Sequence, residues 1–306
     1  MVSTRSSDES GRPDAGWRPR LVALDIDGTL LKWVDGVGTT YEQISPPVYD
    51  AVHRALADGA QVVLASGRSP HGMTNVADLL DLHGAGNGAE DRADRGAGGA
   101  RGVAEQLWVV SSNGAVVFRY PPLEVVHEET FDAAPAVAAI LEQHPSALVA
   151  VEERGFGYRV NRPFPDGELT GEFIIADVAD LVAVPVSRVI IRDPEATADD
   201  FVALGERLGL QGTDYVVGWT AWLDLAPVGV SKASGLEYVA RELGVDQADV
   251  LAIGDGRNDI EMLQWAGRGV AMGQAIEEVR EAADAVTGTV YDDGAATELD
   301  RYWPAP

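Results

Sequence analysis

Two aspartates two positions apart, Asp25 and Asp27, close the run Leu21-Val22-Ala23-Leu24-Asp25-Ile26-Asp27-Gly28-Thr29. Alternate side chains of an extended segment share a face, so both carboxylates leave the carboxyl end of a buried strand together. Open α/β sheets bind their ligands at that end. Crowded carboxylates repel each other, and burying them is costly unless a cation or hydrogen bonds intervene. A divalent ion that prefers hard oxygen ligands, Mg²⁺, is the natural neutraliser.

Three further segments carry matching chemistry. Val62-Val63-Leu64-Ala65-Ser66-Gly67-Arg68 is another apolar strand, ending in a hydroxyl, a glycine and a guanidinium. A hydroxyl beside a backbone N–H freed by glycine cradles a phosphate oxygen, and Arg68 can pair with an anion by a two-pronged contact. Val250-Leu251-Ala252-Ile253-Gly254-Asp255-Gly256-Arg257-Asn258-Asp259 is a third strand, with Asp255 and Asp259 in the turn that follows. Between these two lies Gly229-Val230-Ser231-Lys232, which sets Lys232 near the start of a helical stretch.

In this order the four segments resemble the haloacid dehalogenase-like hydrolase superfamily, and within it the Cof-type branch of small-molecule phosphatases with a second-class cap. Ser112-Asn113-Gly114-Ala115, Ala271-Met272-Gly273-Gln274-Ala275 and Ala283-Asp284-Ala285-Val286-Thr287 before Asp293-Gly294 extend the likeness to the branch, over roughly residues 20 to 300. A Gly/Ala/Asp/Arg-rich insert between Asp81 and Leu107 departs from the family's short connection there.

The resemblance implies a two-step phosphoryl transfer. Asp25 attacks phosphorus and becomes an aspartyl-phosphate, and Asp27 protonates the leaving alcohol and then activates water. Mg²⁺ is held by the Asp25 carboxylate, the Asp27 carbonyl and the Asp255 side chain, with Asp259 in the first or second layer. Ser66, with the Gly67 loop, and Lys232 hold phosphoryl oxygens, while Arg68 and Asn258 orient the substrate or phosphate. Asn113-Gly114 reads on its residues alone as a turn, and the resemblance implies a role for Asn113 at the junction of core and cap. Two other readings stay open: a phosphosugar mutase on the same scaffold, and a non-catalytic phosphate-binding regulator, which an intact Asp25/Asp27 pair disfavours.

Strands must carry these residues, and the hydrophobic pattern supplies them. Strands at about 20–26, 61–65 and 107–111 alternate with helices at about 46–58 and 70–82. After residue 230 come helix 231–243, strand 249–253, helix 258–265, strand 268–271, helix 275–282 and a short strand near 284–286. Such alternation implies a parallel sheet with right-handed crossovers. Between 119 and 225 two helix-and-hairpin units replace that rhythm, with helices at Ala133–Gln143 and Thr197–Leu208. The hairpin of strands Ala147–Glu152 and Gly157–Val160 offers Glu153, Arg154, Phe156, Tyr158 and Arg159 as candidate cap residues facing the site. Together with the resemblance, the expected fold is α/β: a Rossmann-like, parallel-sheet three-layer core over 20–118 and 226–306, with an inserted α+β cap domain over 119–225.

Residues 1–19 are polar apart from Trp17 and read as a disordered tail without the apolar core of a signal peptide. Residues 84–104 read as a flexible loop, and their Gly84/Gly86/Gly88 spacing follows no strand, which argues against a dinucleotide site. A net charge of −26 argues against nucleic acid and anionic membrane as partners. The same field requires any phosphate site to be locally positive. No apolar run is long enough to span a membrane. The chain has no cysteine, which excludes thiolate chemistry and suits a cytoplasmic enzyme. Its five histidines show no metal-ligand spacing. The expected partner is a small-molecule phosphomonoester, and nothing in the sequence specifies an oligomeric state.

Overall fold

The computed structural model describes residues 16–34, 40–82, 106–153, 157–165, 168–197, 200, 213–217 and 222–306. The expected loop 84–104 lies outside these residues, as do most of the tail expected over 1–19 and most of the helix expected over 197–208. Residues 16–19 are docked rather than free. Trp17 donates its indole N–H to the Ala248 carbonyl (3.0 Å) and sets its ring edge-on to Tyr302.

The strands are β1 (Leu21–Leu24), β2 (Leu31–Trp33), β3 (Thr40–Ile44), β4 (Gln61–Ala65), β5 (Leu107–Ser111), β6 (Val116–Tyr120), β7 (Glu124–Glu128), β8 (Leu148–Glu153), β9 (Gly157–Val160), β10 (Glu172–Ile175), β11 (Val189–Arg192), β12 (Thr213–Val217), β13 (Trp222–Pro227), β14 (Val250–Gly254), β15 (Arg268–Ala271) and β16 (Ala285–Val286). Eight form one sheet in the order β16-β15-β14-β1-β4-β5-β6-β7. It is parallel from β16 to β5 and antiparallel beyond. β1 sits at its middle and is buried along its whole length, as Val/Leu/Ala runs require when helices cover both faces. Its side chains feed two apolar layers: Val22 and Leu24 pack toward Leu64, Leu251 and Ile253, and Leu21 and Ala23 toward Val63, Val250 and Leu236. This is the Rossmann-like three-layer core.

The cap is a second sheet, order β10-β9-β8-β11-β13-β12, mostly antiparallel, backed on one face by helix Ala134–Gln143. The boundary expected at residue 119 falls inside the core sheet. β6 hydrogen-bonds to β5 at the edge of the parallel strands and β7 to β6, and the pair Pro121-Pro122, unable to donate to a ladder, turns the chain between them. Cap structure therefore begins near Phe131, and its last strand runs to Pro227. Between the expected strand at 20–26 and helix at 46–58, where the sequence pattern marks no element, lie two further strands. β2 and β3 pair antiparallel there, a small hairpin beside the Asp25–Asp27 turn. Among the described residues no helix is long and apolar enough to cross a membrane.

Candidate active site

Asp25 continues β1 by one step, its N–H donating to the Ile253 carbonyl at 3.0 Å. The chain then folds into a tight turn in which the N–H groups of Thr29, Leu30 and Leu31 all point at the Ile26 carbonyl. Gly28 has φ +86, and a Cβ there would overlap the Asp255 carboxylate and the Trp33 indole. Glycine is required at that position both for conformation and for closeness.

Lys232 opens helix Lys232–Leu243 and is 1% exposed. Its Nζ donates to Asp25 Oδ1 at 2.7 Å and to Asp259 Oδ1 at 2.6 Å. Burial alone would lower the ammonium pKa, but Asp25 and Asp259 outweigh it and hold it above the ordinary lysine value. Asp259 is fully engaged, since Oδ2 accepts from the N–H groups of Asp255 (2.9 Å) and Gly256 (2.8 Å). Asp25 Oδ2, by contrast, is buried without a hydrogen-bond partner. Carboxylate oxygens of Asp25, Asp255 and Asp259 lie within 4.8 Å of one another. Burial and the charge on Asp259 raise the Asp25 pKa. The same two causes push Asp255 up to about 6, against hydrogen bonds from Gln274 and Trp33. Such a cluster wants a cation.

Asp27 does not join that cluster through its side chain. Arg68 grips it with Nε to Oδ2 at 2.9 Å and Nη2 to Oδ1 at 2.6 Å, and Thr40 Oγ1 donates to Oδ1 at 3.1 Å. Only the Asp27 backbone is left for the metal role expected of it. Arg68 also holds Glu42 (2.8 Å) and Thr40 (2.9 Å), so the guanidinium expected to orient substrate or phosphate lines the cavity already engaged by Asp27 and the hairpin. The cause is β3, which carries Thr40 and Glu42 across Arg68.

Ser66 is buried, and its Oγ accepts from the Arg68 N–H at 3.2 Å, which leaves the hydroxyl hydrogen free to donate. Gly67 approaches Asn113 so closely that a Cβ would sit 2.9 Å from Asn113 Oδ1. That Oδ1 accepts from Asn258 Nδ2 at 2.9 Å, and the Asn113 N–H donates to the Ser66 carbonyl at 3.1 Å. Asn113 and Asn258 thus tie the loops after β4, β5 and β14 together. Asn258 is not the helix cap that its position before Ile260 allows.

A cavity of about 750 Å³ opens above this floor. Asp25, Asp27, Ser66, Gly67, Arg68, Asn113, Asp255 and Asn258 line its core side, with Lys232 and Asp259 beneath. Of the cap residues expected to face the site, Tyr158 does. Glu153 and Arg159 pair with each other at 2.8 Å instead, and Arg154 and Phe156 lie outside the described residues. Sequence reading missed Trp33, Thr40 and Glu42 on the hairpin, Gln274, and the cap residues Arg188, Trp222 and Asp224. Gln274 donates to the Gly28 carbonyl (2.6 Å) and Asp255 Oδ2 (3.1 Å). A period-two signal marked the cap set: Arg188 and Ile190 alternate with buried Val189 and Ile191, and Trp222 and Asp224 with Leu223 and Leu225.

Known proteins share both chain and fold. A relative from Natronomonas pharaonis, phosphoglycolate phosphatase, is 29% identical, covering 92% of this chain and 96% of its own. The Bacillus subtilis 5-amino-6-(5-phospho-D-ribitylamino)uracil phosphatase YitU is 26% identical over 94% and 98% of the two chains. Among solved structures, the phosphatase BT1666 of Bacteroides thetaiotaomicron superposes with a TM-score of 0.71 at 24% identity, covering 97% of this chain and all of that one. A sequence model of haloacid dehalogenase-like hydrolases matches residues 22–299, and the chain belongs to that family.

Proposed function

We propose that the protein is a Mg²⁺-dependent phosphatase that hydrolyses a small phosphomonoester through a phosphorylated Asp25. The observation that carries this reading is the unequal treatment of two neighbouring carboxylates. Asp25 is buried, held by Lys232 on one oxygen and bare on the other, while Asp27 is held aside by Arg68. That difference supports Asp25 as the nucleophile and Asp27 as the proton carrier.

The residues fit the metal. An orphaned, buried carboxylate oxygen beside two more carboxylates is a hard-oxygen donor set of the kind Mg²⁺ takes. Asp25 and Asp255, with the Asp27 carbonyl, would hold the ion, and Asp259 supports them from behind by fixing Lys232 and the loop at Asp255. When bound, the ion supplies positive charge opposite the phosphoryl oxygens.

In the first step an Asp25 oxygen bonds to phosphorus as the ester oxygen leaves, and Asp27 gives that oxygen its proton. In the second, Asp27 takes a proton from water as the water oxygen bonds to phosphorus. The bond to Asp25 breaks, inorganic phosphate leaves and the carboxylate is restored. The Lys232 ammonium and the Ser66 hydroxyl face developing charge on the phosphoryl oxygens, where most catalysis of this class arises. The names of the relatives, both phosphatases of small metabolites, support the same reading.

Purified protein assayed on p-nitrophenyl phosphate, first in chelator and then with Mg²⁺ restored, tests it. Turnover that needs Mg²⁺ and does not need a sugar bisphosphate is expected. No turnover in either condition, or full turnover in chelator, contradicts it.

A further inference from the structure

The cap places on the cavity wall a charged set that the phosphoryl chemistry does not use. Arg188 Nε lies 2.9 and 3.1 Å from the two oxygens of Asp224, and Nη2 lies 2.6 Å from Oδ2. Its Nη1 reaches Glu152 at 3.4 Å, and Glu152 accepts from Ser112 of the core at 2.6 Å. All three charged residues are buried, with Arg188 at 8% exposure and Asp224 at 9%. The guanidinium is therefore shared between two carboxylates.

The remainder of the wall follows the same rule. Among the described residues, six carboxylates (Asp25, Asp27, Glu42, Glu168, Asp224, Asp255) and three guanidiniums line the cavity. Arg68 is held by Asp27 and Glu42, and Arg257 by Glu278 at 2.9 Å. The two less exposed lining guanidiniums, Arg68 and Arg188, are thus engaged by carboxylates, whereas Arg257 is exposed and holds Glu278 through Nε alone. An alcohol carrying a carboxylate or another phosphate against the Asp224 wall would face a carboxylate whose guanidinium is already engaged, an arrangement that selects by repulsion.

Asp224 itself has capacity to spare. A carboxylate offers about four acceptor sites, so three contacts from Arg188 leave room for a donor from the cavity. Its neighbours on the wall are apolar: Trp222 two residues earlier on the same face of β13, and Ile190, which is its register partner on β11. A fixed acceptor beside an apolar wall suits hydroxyls and the C–H surface of the same molecule.

We propose that Asp224, fixed by Arg188, selects the leaving group. It accepts hydrogen bonds from an uncharged polyhydroxy alcohol, and it rejects alcohols bearing a carboxylate or a second phosphate. This rests on the phosphatase reading above. Two substrates separate the cases, sorbitol 6-phosphate and 6-phosphogluconate, which share a six-carbon chain and differ at C1 as hydroxyl against carboxylate. p-Nitrophenyl phosphate serves as the control for the chemistry. With Mg²⁺ present, wild-type kcat/KM should favour sorbitol 6-phosphate by about tenfold or more. In Asp224→Asn that ratio should fall toward one, because Arg188 regains charge for the carboxylate. The ratio is taken within each variant, so a smaller folded fraction cancels, and the wild-type comparison decides by itself if the variant does not fold. Equal or better use of 6-phosphogluconate by the wild type overturns the assignment, and so does turnover of p-nitrophenyl phosphate with neither six-carbon ester accepted. Failure on all three compounds overturns the phosphatase reading, and this assignment falls with it.

Discussion

Lys232 and Asp259 are joined at 2.6 Å beneath the cavity floor, both shut off from solvent. In the proposed mechanism Asp259 would act through the lysine and through the Asp255 and Gly256 N–H groups whose hydrogen bonds it accepts. Removing Lys232 breaks two buried pairs at once. Lys232→Ala should lose about 2–4 kcal/mol of transition-state stabilisation, the loss of one oriented donor. The metal-free protein should also be destabilised by about 3–5 kcal/mol, because two carboxylates are left buried without their cation. Kinetics per folded enzyme, beside melting curves with and without Mg²⁺, check both. A surface lysine would change neither.

The pH dependence of the metal-free protein follows from Asp255. Its folded pKa of about 6 lies above the ordinary 3.8, so the folded state holds this proton more tightly than the unfolded chain does. Stability conferred by the protonated carboxyl is present at low pH and is lost as pH rises from 3.8 through about 6. Asp25 shifts in the same direction and adds to the loss. The gain in Tm on adding Mg²⁺ should consequently be larger at pH 7 than at pH 5. Equal gains would mean that the ion does not bind among these carboxylates.

Gly28→Ala tests the turn. The new methyl group must displace the Asp255 carboxylate or Trp33, and φ +86 is strained for alanine. Mg²⁺ affinity should fall by about tenfold or more, an energy comparable to the 1–3 kcal/mol of such backbone strain. Calorimetric titration of Mg²⁺ into the folded variant measures it, and unchanged affinity would remove Gly28 from the site.

Arg68→Ala should separate acid catalysis from binding. Freed of its two-pronged partner, Asp27 loses its fixed position, at a cost of about 10- to 100-fold where a proton must be delivered. An alkyl phosphate needs that proton, whereas p-nitrophenolate leaves readily without one. Comparison of kcat/KM, which covers steps up to phosphorylation of Asp25, should show the larger loss on the alkyl ester. Equal losses would favour a phosphate-binding role for Arg68.

Much of the core was legible because buried parallel strands are apolar runs closed by polar turns, and Asp25, Ser66 and Asp255 stand at those closures. Lys232 was legible only from its place in the series of segments, since nothing local distinguishes a buried lysine from a surface one. The engagement of Arg68 with Asp27 was not legible, because it depends on the β2–β3 hairpin, whose residues Thr40-Tyr41-Glu42 are mostly exposed and carry no core-facing pattern. The boundary expected at 119, which puts β7 and the end of β6 in the cap, misses for a related reason. An antiparallel pair at the edge of a parallel sheet reads locally like any hairpin, and only its partner strand shows which sheet it joins. The cap wall was written in alternation at Arg188–Arg192 and Trp222–Pro227, but the side facing the site is fixed by packing against helix Ala134–Gln143.

Asp25→Asn is the most direct measurement of the central claim. The amide matches the carboxylate in size and keeps an oxygen for Lys232, but it is a poor nucleophile. The variant should fold, with a metal-free Tm at or above wild type because one buried charge is gone. Its phosphatase activity at saturating Mg²⁺ should fall below a few per cent of wild type. A folded Asp25→Asn protein that keeps more than that would contradict a reaction through phosphorylated Asp25.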